Sequence, residues 1–122
     1  MKIQIKRVYE APSDDDGVRI LVDKMWPRGI KKADLAYDIW QKDISPSVPL
    51  RQLLHQDSEA NWDAFAAQYR QELVASEAFA QFVDSLRERH PVAITLLFAF
   101  RNKAHNHAQV LKEALSAALN DE

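Results

Sequence analysis

The chain has no cysteine and only two glycines, Gly17 and Gly29, among its 122 residues. Without cysteine there is no disulfide framework, no thiolate metal site and no thiol nucleophile. With two isolated glycines there is neither a P-loop nor a G-x-G-x-x-G turn, so a conventional dinucleotide site is not expected. A Gly-x-Ser-x-Gly nucleophile elbow is missing as well. No apolar run approaches membrane-spanning length, and the opening alternation Lys2-Ile3-Gln4-Ile5-Lys6 is not a signal-peptide core, which together point to a cytoplasmic protein with no membrane partner. Surplus positive charge is also lacking. The formal net charge is -2, against a dedicated duplex-DNA binder, because phosphate contacts dominate nucleic-acid affinity. There is no helix-turn-helix signature either. No cofactor is expected.

What is present is the balance of an ordinary globular domain, 47% apolar and 28% charged. Residues 1–122 are expected to form a single α/β domain of a size that can bury its own core. Lys2 to Tyr9 alternates as a half-buried strand near a sheet edge. Ala11 to Gly17 reads as a solvated loop carrying three acids. In Val18 to Asp23, Ile20, Leu21 and Val22 are contiguous, the pattern of a strand covered on both faces. Residues 31–42 fit a short helix or an extended arm. Ser47 reads as the N-cap of a helix with Leu50, Leu53 and Leu54 on its apolar face. Asp57 or Ser58 caps the next helix, and Ser76 opens another. Trp62, Phe65, Tyr69 and Leu73, then Phe79, Phe82, Val83 and Leu86, recur at helical spacing as core stripes. Val92 to Phe100 has Thr95 as its one polar interruption and is the candidate central strand. Asn102 is expected to cap a last helix whose sheet-facing stripe contains His107, Leu111 and Leu115. Buried strands alternating with helices predict a small three-layer Rossmann-like fold, with a three- or four-stranded, partly parallel sheet flanked by helices.

Three segments also carry a resemblance. They are Arg19-Ile20-Leu21-Val22-Asp23-Lys24-Met25-Trp26-Pro27-Arg28-Gly29; Trp40-Gln41-Lys42 with Pro46-Ser47 and Leu50-Arg51; and Thr95-Leu96-Leu97 leading to Asn106-His107-Ala108. Across nearly its whole length the chain resembles the YeaO-like branch of a bacterial family of unknown function, DUF488. The resemblance implies a Rossmann-like α/β domain and no established activity. Other branches are similar to one another in a Cys-His-Arg run near the start of the final helix; Asn106-His107-Ala108 stands there in this chain. Thiol or paired-arginine chemistry therefore does not carry over.

Candidate chemistry gathers at two strand ends. Arg28, between Pro27 and Gly29, is a permanent cation on a rigid bend, suited to a carboxylate or phosphate, or else to a structural ion pair with Asp23 or another acid. Asp23 can serve as a general base, a ribose-hydroxyl acceptor or the partner of Arg28. Trp26 offers a stacking ring, although an aromatic beside proline more often packs. Arg101, Asn102, His105, Asn106 and His107 form the second cluster, where a helix N-terminus favours anions. His105 is the candidate acid/base group, whereas His107, on the apolar stripe, reads as a core histidine. His105 and His107 stand two apart, which is unsuited to a shared metal ion on a helix, and no metal is expected. Two functions follow. One is a cleft for a small phosphate- or carboxylate-bearing ligand, possible nucleotides included, formed by Asp23, Arg28, Asn102, His105 and Asn106 with Trp26 or Arg51 at its rim. The other is a non-catalytic interaction module whose basic patch, Lys24, Arg28, Lys31 and Lys32, contacts RNA or an acidic protein.

Overall fold

In the strand Ala93–Phe98, every residue is buried, yet the side chains go to two different cores. Ile94, Leu96 and Phe98 join Ile20 and Val22 against the helices, while Leu97 and Leu21 join Val8 and Leu35 on the opposite face. Period-two alternation inside a continuous apolar run is what a strand covered on both sides requires.

The computed structural model describes residues 1–120. Its elements are β1 (Lys2–Arg7), β2 (Val18–Leu21), β3 (Ile39–Trp40), α1 (Val48–Gln56), α2 (Trp62–Ala75), α3 (Glu77–Arg89), β4 (Ala93–Phe98) and α4 (His107–Asn120). The four strands lie in the order β1-β4-β2-β3, and all three pairings are parallel. The fold is α/β, and its sheet is more uniformly parallel than the pattern alone indicated. The first strand is an edge, as its alternation predicted. The last strand is inserted between the first two.

The layers are unequal. Leu50 and Leu54 of α1, Phe65 and Tyr69 of α2, Phe82 and Leu86 of α3, and Leu111 and Leu115 of α4 share one core with the sheet. The other face is covered by the segment after β2, from which Trp26, Ile30 and Leu35 pack with Trp40 of β3. That segment is an extended arm with one 3-10 turn at Lys32–Asp34, which resolves the choice left open for residues 31–42.

Several local expectations are altered by tertiary partners. Ser76 caps α3, its hydroxyl accepting from Phe79 N at 3.1 Å. Ser47 precedes α1 but makes no capping bond; its own N–H donates to Glu72 Oε1. Asp57 accepts from the N–H groups of Glu59 and Ala60, capping the turn that leads into α2 rather than the helix itself. The acid run is also less solvated than it reads. Asp14 and Asp15 are exposed, but Asp16 is buried, in a 3-10 turn whose capping box it closes with Ser13. Its carboxylate meets Lys6 Nζ at 2.8 Å, Gln4 Nε2 at 3.0 Å and the Arg19 guanidinium, and its carbonyl accepts from Thr95 Oγ1. Polar side chains from β1, β2 and β4 thus converge on one aspartate, those of β1 and β2 on its carboxylate. The next residue must be glycine: at Gly17 φ is +64°, and a Cβ would lie 2.0 Å from the carbonyl oxygen of Ala93.

Candidate functional site

From β2 the chain continues to β3 at one edge of the sheet, whereas from β4 it passes into α4, which packs on β1 and β4. The two exits diverge between β2 and β4. In an open parallel sheet this divergence leaves a crevice at the carboxyl ends of the strands, the usual place for a ligand. One of the two sequence clusters follows each central strand.

Asp23 spans the gap. Its Oδ2 accepts from Ala99 N at 3.0 Å, and its Oδ1 lies 2.7 Å from Nε2 of His107, the first residue of α4. Neither Oδ1 nor Nε2 has another hydrogen-bond partner, and both side chains are largely buried. The backbone carbonyl of Asp23 accepts from Trp40 Nε1 at 2.7 Å, and that of Val22 accepts from Ser45 Oγ at 2.9 Å. On the far side of β4, Arg7 donates to the carbonyls of Ala99 at 2.9 Å and Phe100 at 3.0 Å, with its guanidinium over the ring of Tyr9. The start of the β4–α4 loop is therefore held from β1 by a cation and from β2 by an anion.

The rest of that loop is fixed by two asparagines. Asn102 Oδ1 accepts from the N–H groups of Ala104 and His105, and its Nδ2 donates to Glu59 Oε1 at 2.6 Å. Asn106 is fully buried; it donates to the carbonyl of Asn102 and accepts from Gln109 N at 3.0 Å. Asn106 thus caps α4, the role expected of Asn102, because the helix begins only at His107. His105 lies before the helix. Its ring stacks on Trp62 with centroids 4.6 Å apart, and its Nδ1 is 2.9 Å from Glu59 Oε1. The two histidines consequently diverge, His105 to the rim and His107 inward.

Arg28 does not pair with Asp23, whose carboxylate meets Ala99 N just after β4 and His107 of α4. Its side chain is exposed on the bend after buried Pro27, and its carbonyl accepts from the Tyr9 hydroxyl at 3.2 Å. Trp26 packs edge-to-face on Tyr37 and Trp40 and donates to the Ile30 carbonyl. Arg51, on α1, is half-buried, and its Nε is enclosed without a hydrogen-bond partner. Below the crevice Tyr69 donates to the Ile44 carbonyl at 2.5 Å; burial, reinforced by the charges of Glu72 and Asp23, pushes its phenol far above the usual range. An apolar groove of about 410 Å³ opens elsewhere, between α2, α3 and the C-terminal half of α4, lined by Leu73, Val74, Phe79 and Ala117 among others.

The residue that sequence reasoning undervalued is His107. Its place on the apolar stripe suggested a core histidine, and it is buried, but its ring is aimed at Asp23 across the crevice. The available signal was positional: an acid directly after one central strand, and a histidine opening the helix after the other.

The family model for the inactive DUF488-N3 subclade matches residues 2–122. The chain belongs to that subclade. It is 44% identical over 115 residues to the uncharacterized protein YeaO of Escherichia coli K12, covering 94% of this chain and 97% of YeaO. It is 41% identical to the uncharacterized proteins Mb3100c of Mycobacterium bovis and Rv3073c of Mycobacterium tuberculosis, covering 94% of each chain. No solved structure matches. Among the described residues, no helix is long and apolar enough to cross a membrane.

Proposed function

We propose that the protein is a binding domain that holds a small phosphate- or carboxylate-bearing metabolite, with nucleotides in the class, at the carboxyl ends of β2 and β4, without turning it over. The observation that carries this reading is the Asp23–His107 contact across the diverging strand exits. It joins one residue from each sequence cluster near the ends of the central strands, and the carboxyl ends of strands are where open α/β sheets commonly take ligands. The dipole of α4 supplies partial positive charge at its N-terminus, and Arg28 and Arg101 are exposed cations on the two adjoining segments. Asn102 and Asn106 keep the loop in shape. His105, held between Trp62 and Glu59, serves as a rim contact in place of an acid/base group. Arg51 and Trp26 support the walls. Non-catalytic holding also agrees with the subclade's description.

A thermal-unfolding screen against phosphates, nucleotides and carboxylates tests the reading. A ligand at 100-fold excess over its Kd stabilises the fold by about 3 kcal/mol, enough to move the melting temperature clearly. Arg28→Ala, at an exposed side chain, should remove that shift while leaving the unliganded melting temperature in place. A shift that survives Arg28→Ala, or a panel with no shift at all, refutes the proposal.

A further inference from the structure

The arm that covers the second face of the sheet is the basic part of an acidic protein. Residues 24–42 contain Lys24, Arg28, Lys31, Lys32 and Lys42 against Asp34 and Asp38, while the whole chain carries a net charge of -2. One of the two acids is already engaged, Asp38 accepting from Arg19 N at 2.8 Å. Trp26, Tyr37 and Trp40 sit among these cations. The rings meet edge-to-face, Trp26 to Trp40 at 5.5 Å and 68° and Trp26 to Tyr37 at 5.6 Å and 64°; both tryptophans are half-buried, and Tyr37 is exposed. Lysine ammonium groups lie beside these rings as well. Lys32 Nζ is 5.8 Å from the Trp26 ring centre and 5.9 Å from that of Trp40, and Lys42 Nζ is 4.7 Å from Trp40. Both indole N–H groups are tied to backbone carbonyls, which fixes the rings in place. Met25 beside them is 71% exposed.

We infer that this arm is a docking surface for single-stranded RNA. Rigid aromatic faces interleaved with cations are what unpaired bases and their phosphates use together: bases stack on the rings and lysines follow the backbone. An acidic peptide would use the lysines alone, because the negative face of an indole repels a carboxylate. A duplex hides its bases, so it too would leave the rings unused. The surface shares Arg28 and Trp26 with the crevice proposal, but its test turns on Lys31 and Lys32, which that proposal does not use, so the two fail distinguishably.

The test uses the full chain carrying Trp62→Phe, so that tryptophan emission comes from Trp26 and Trp40. Titration with unlabelled ten-nucleotide oligo(U) and oligo(A) should quench that emission, and anisotropy with labelled strands should show affinity falling as salt rises. Lys31→Gln with Lys32→Gln should lower the logarithmic salt slope by about two and weaken binding at least tenfold, with an unchanged circular-dichroism spectrum and melting temperature. Three outcomes overturn the inference: no quenching at low salt, equal binding of polyglutamate, or equal binding of the matching duplex.

Discussion

Asp23 and His107 close the carboxyl ends of the two central strands, with 2.7 Å between Oδ1 and Nε2, while the other oxygen of Asp23 takes the Ala99 N–H. Removing the carboxylate strands two polar groups at once. Asp23→Ala should cost about 2–4 kcal/mol in urea unfolding, and Asp23→Asn, which keeps an acceptor for Ala99, should recover a good part of it. An alanine variant as stable as the parent would show that the contact does not hold the loop.

The two glycines should respond in opposite measure. At Gly17 an alanine Cβ would strike the Ala93 carbonyl, and the backbone lies where only glycine is comfortable, so Gly17→Ala should lose several kcal/mol, about 3 or more. Gly29 has φ of +80° but open space around it, so Gly29→Ala should cost only about 1–2 kcal/mol. Thermal melts of both variants give the comparison directly.

Acid stability should run through Asp16. Burial acts to raise its pKa, but hydrogen bonds from Lys6, the Ser13 N–H and Arg19, with the Lys6 charge, outweigh it and hold the carboxyl below its ordinary value of 3.8. A folded-state pKa below the unfolded one gives stability that is complete above the unfolded value. That stability is lost as pH falls through the folded value. Asp16→Asn should therefore flatten the acid limb of the stability profile. At neutral pH it should cost about 3 kcal/mol, since Lys6 and Arg19 lose a buried partner. Urea midpoints measured from pH 2 to 7 test both statements.

Tyr69 should behave as a silent phenol. Buried, and facing the charges of Glu72 and Asp23, it resists ionisation. In an alkaline absorbance titration, one of the three tyrosines should ionise only as the chain unfolds. Tyr69→Phe, which leaves the Ile44 carbonyl without its donor, should remove that component and cost about 1–2 kcal/mol.

What could be read from the sequence was governed by local pattern. The contiguous apolar residues of β2 and β4 announce strands buried on both faces, and the helical stripes of α2 and α3 announce their core sides. The insertion of β4 between β1 and β2 has no local signature, because strand order is set by which faces and ends can be covered together. Asp16 looked solvated for the same reason: Gln4, Lys6, Arg19 and Thr95, which make its burial tolerable, come from three separate strands. Asn102 looked like a helix cap because its type is right. Asn106 wins because the helix starts later than the apolar stripe suggests. The candidate site was legible as two clusters, and its closure by His107 was not.

The placement of β4 has a consequence for how the molecule comes into being. Gln4 meets Thr95 across 91 residues, and β2, although β3 can join it early, gains its central neighbour only when β4 arrives. Each of these pairings closes a long loop before it returns any contact energy, so the sheet belongs to the slow, high-contact-order end of folding. On the ribosome, β1 and the β2–β3 pair must wait to be joined until residues 93–98 have emerged, while α1, α2 and α3 can already associate. Assembly is therefore a late, nearly simultaneous event, and the crevice comes into existence in the same step that completes the sheet.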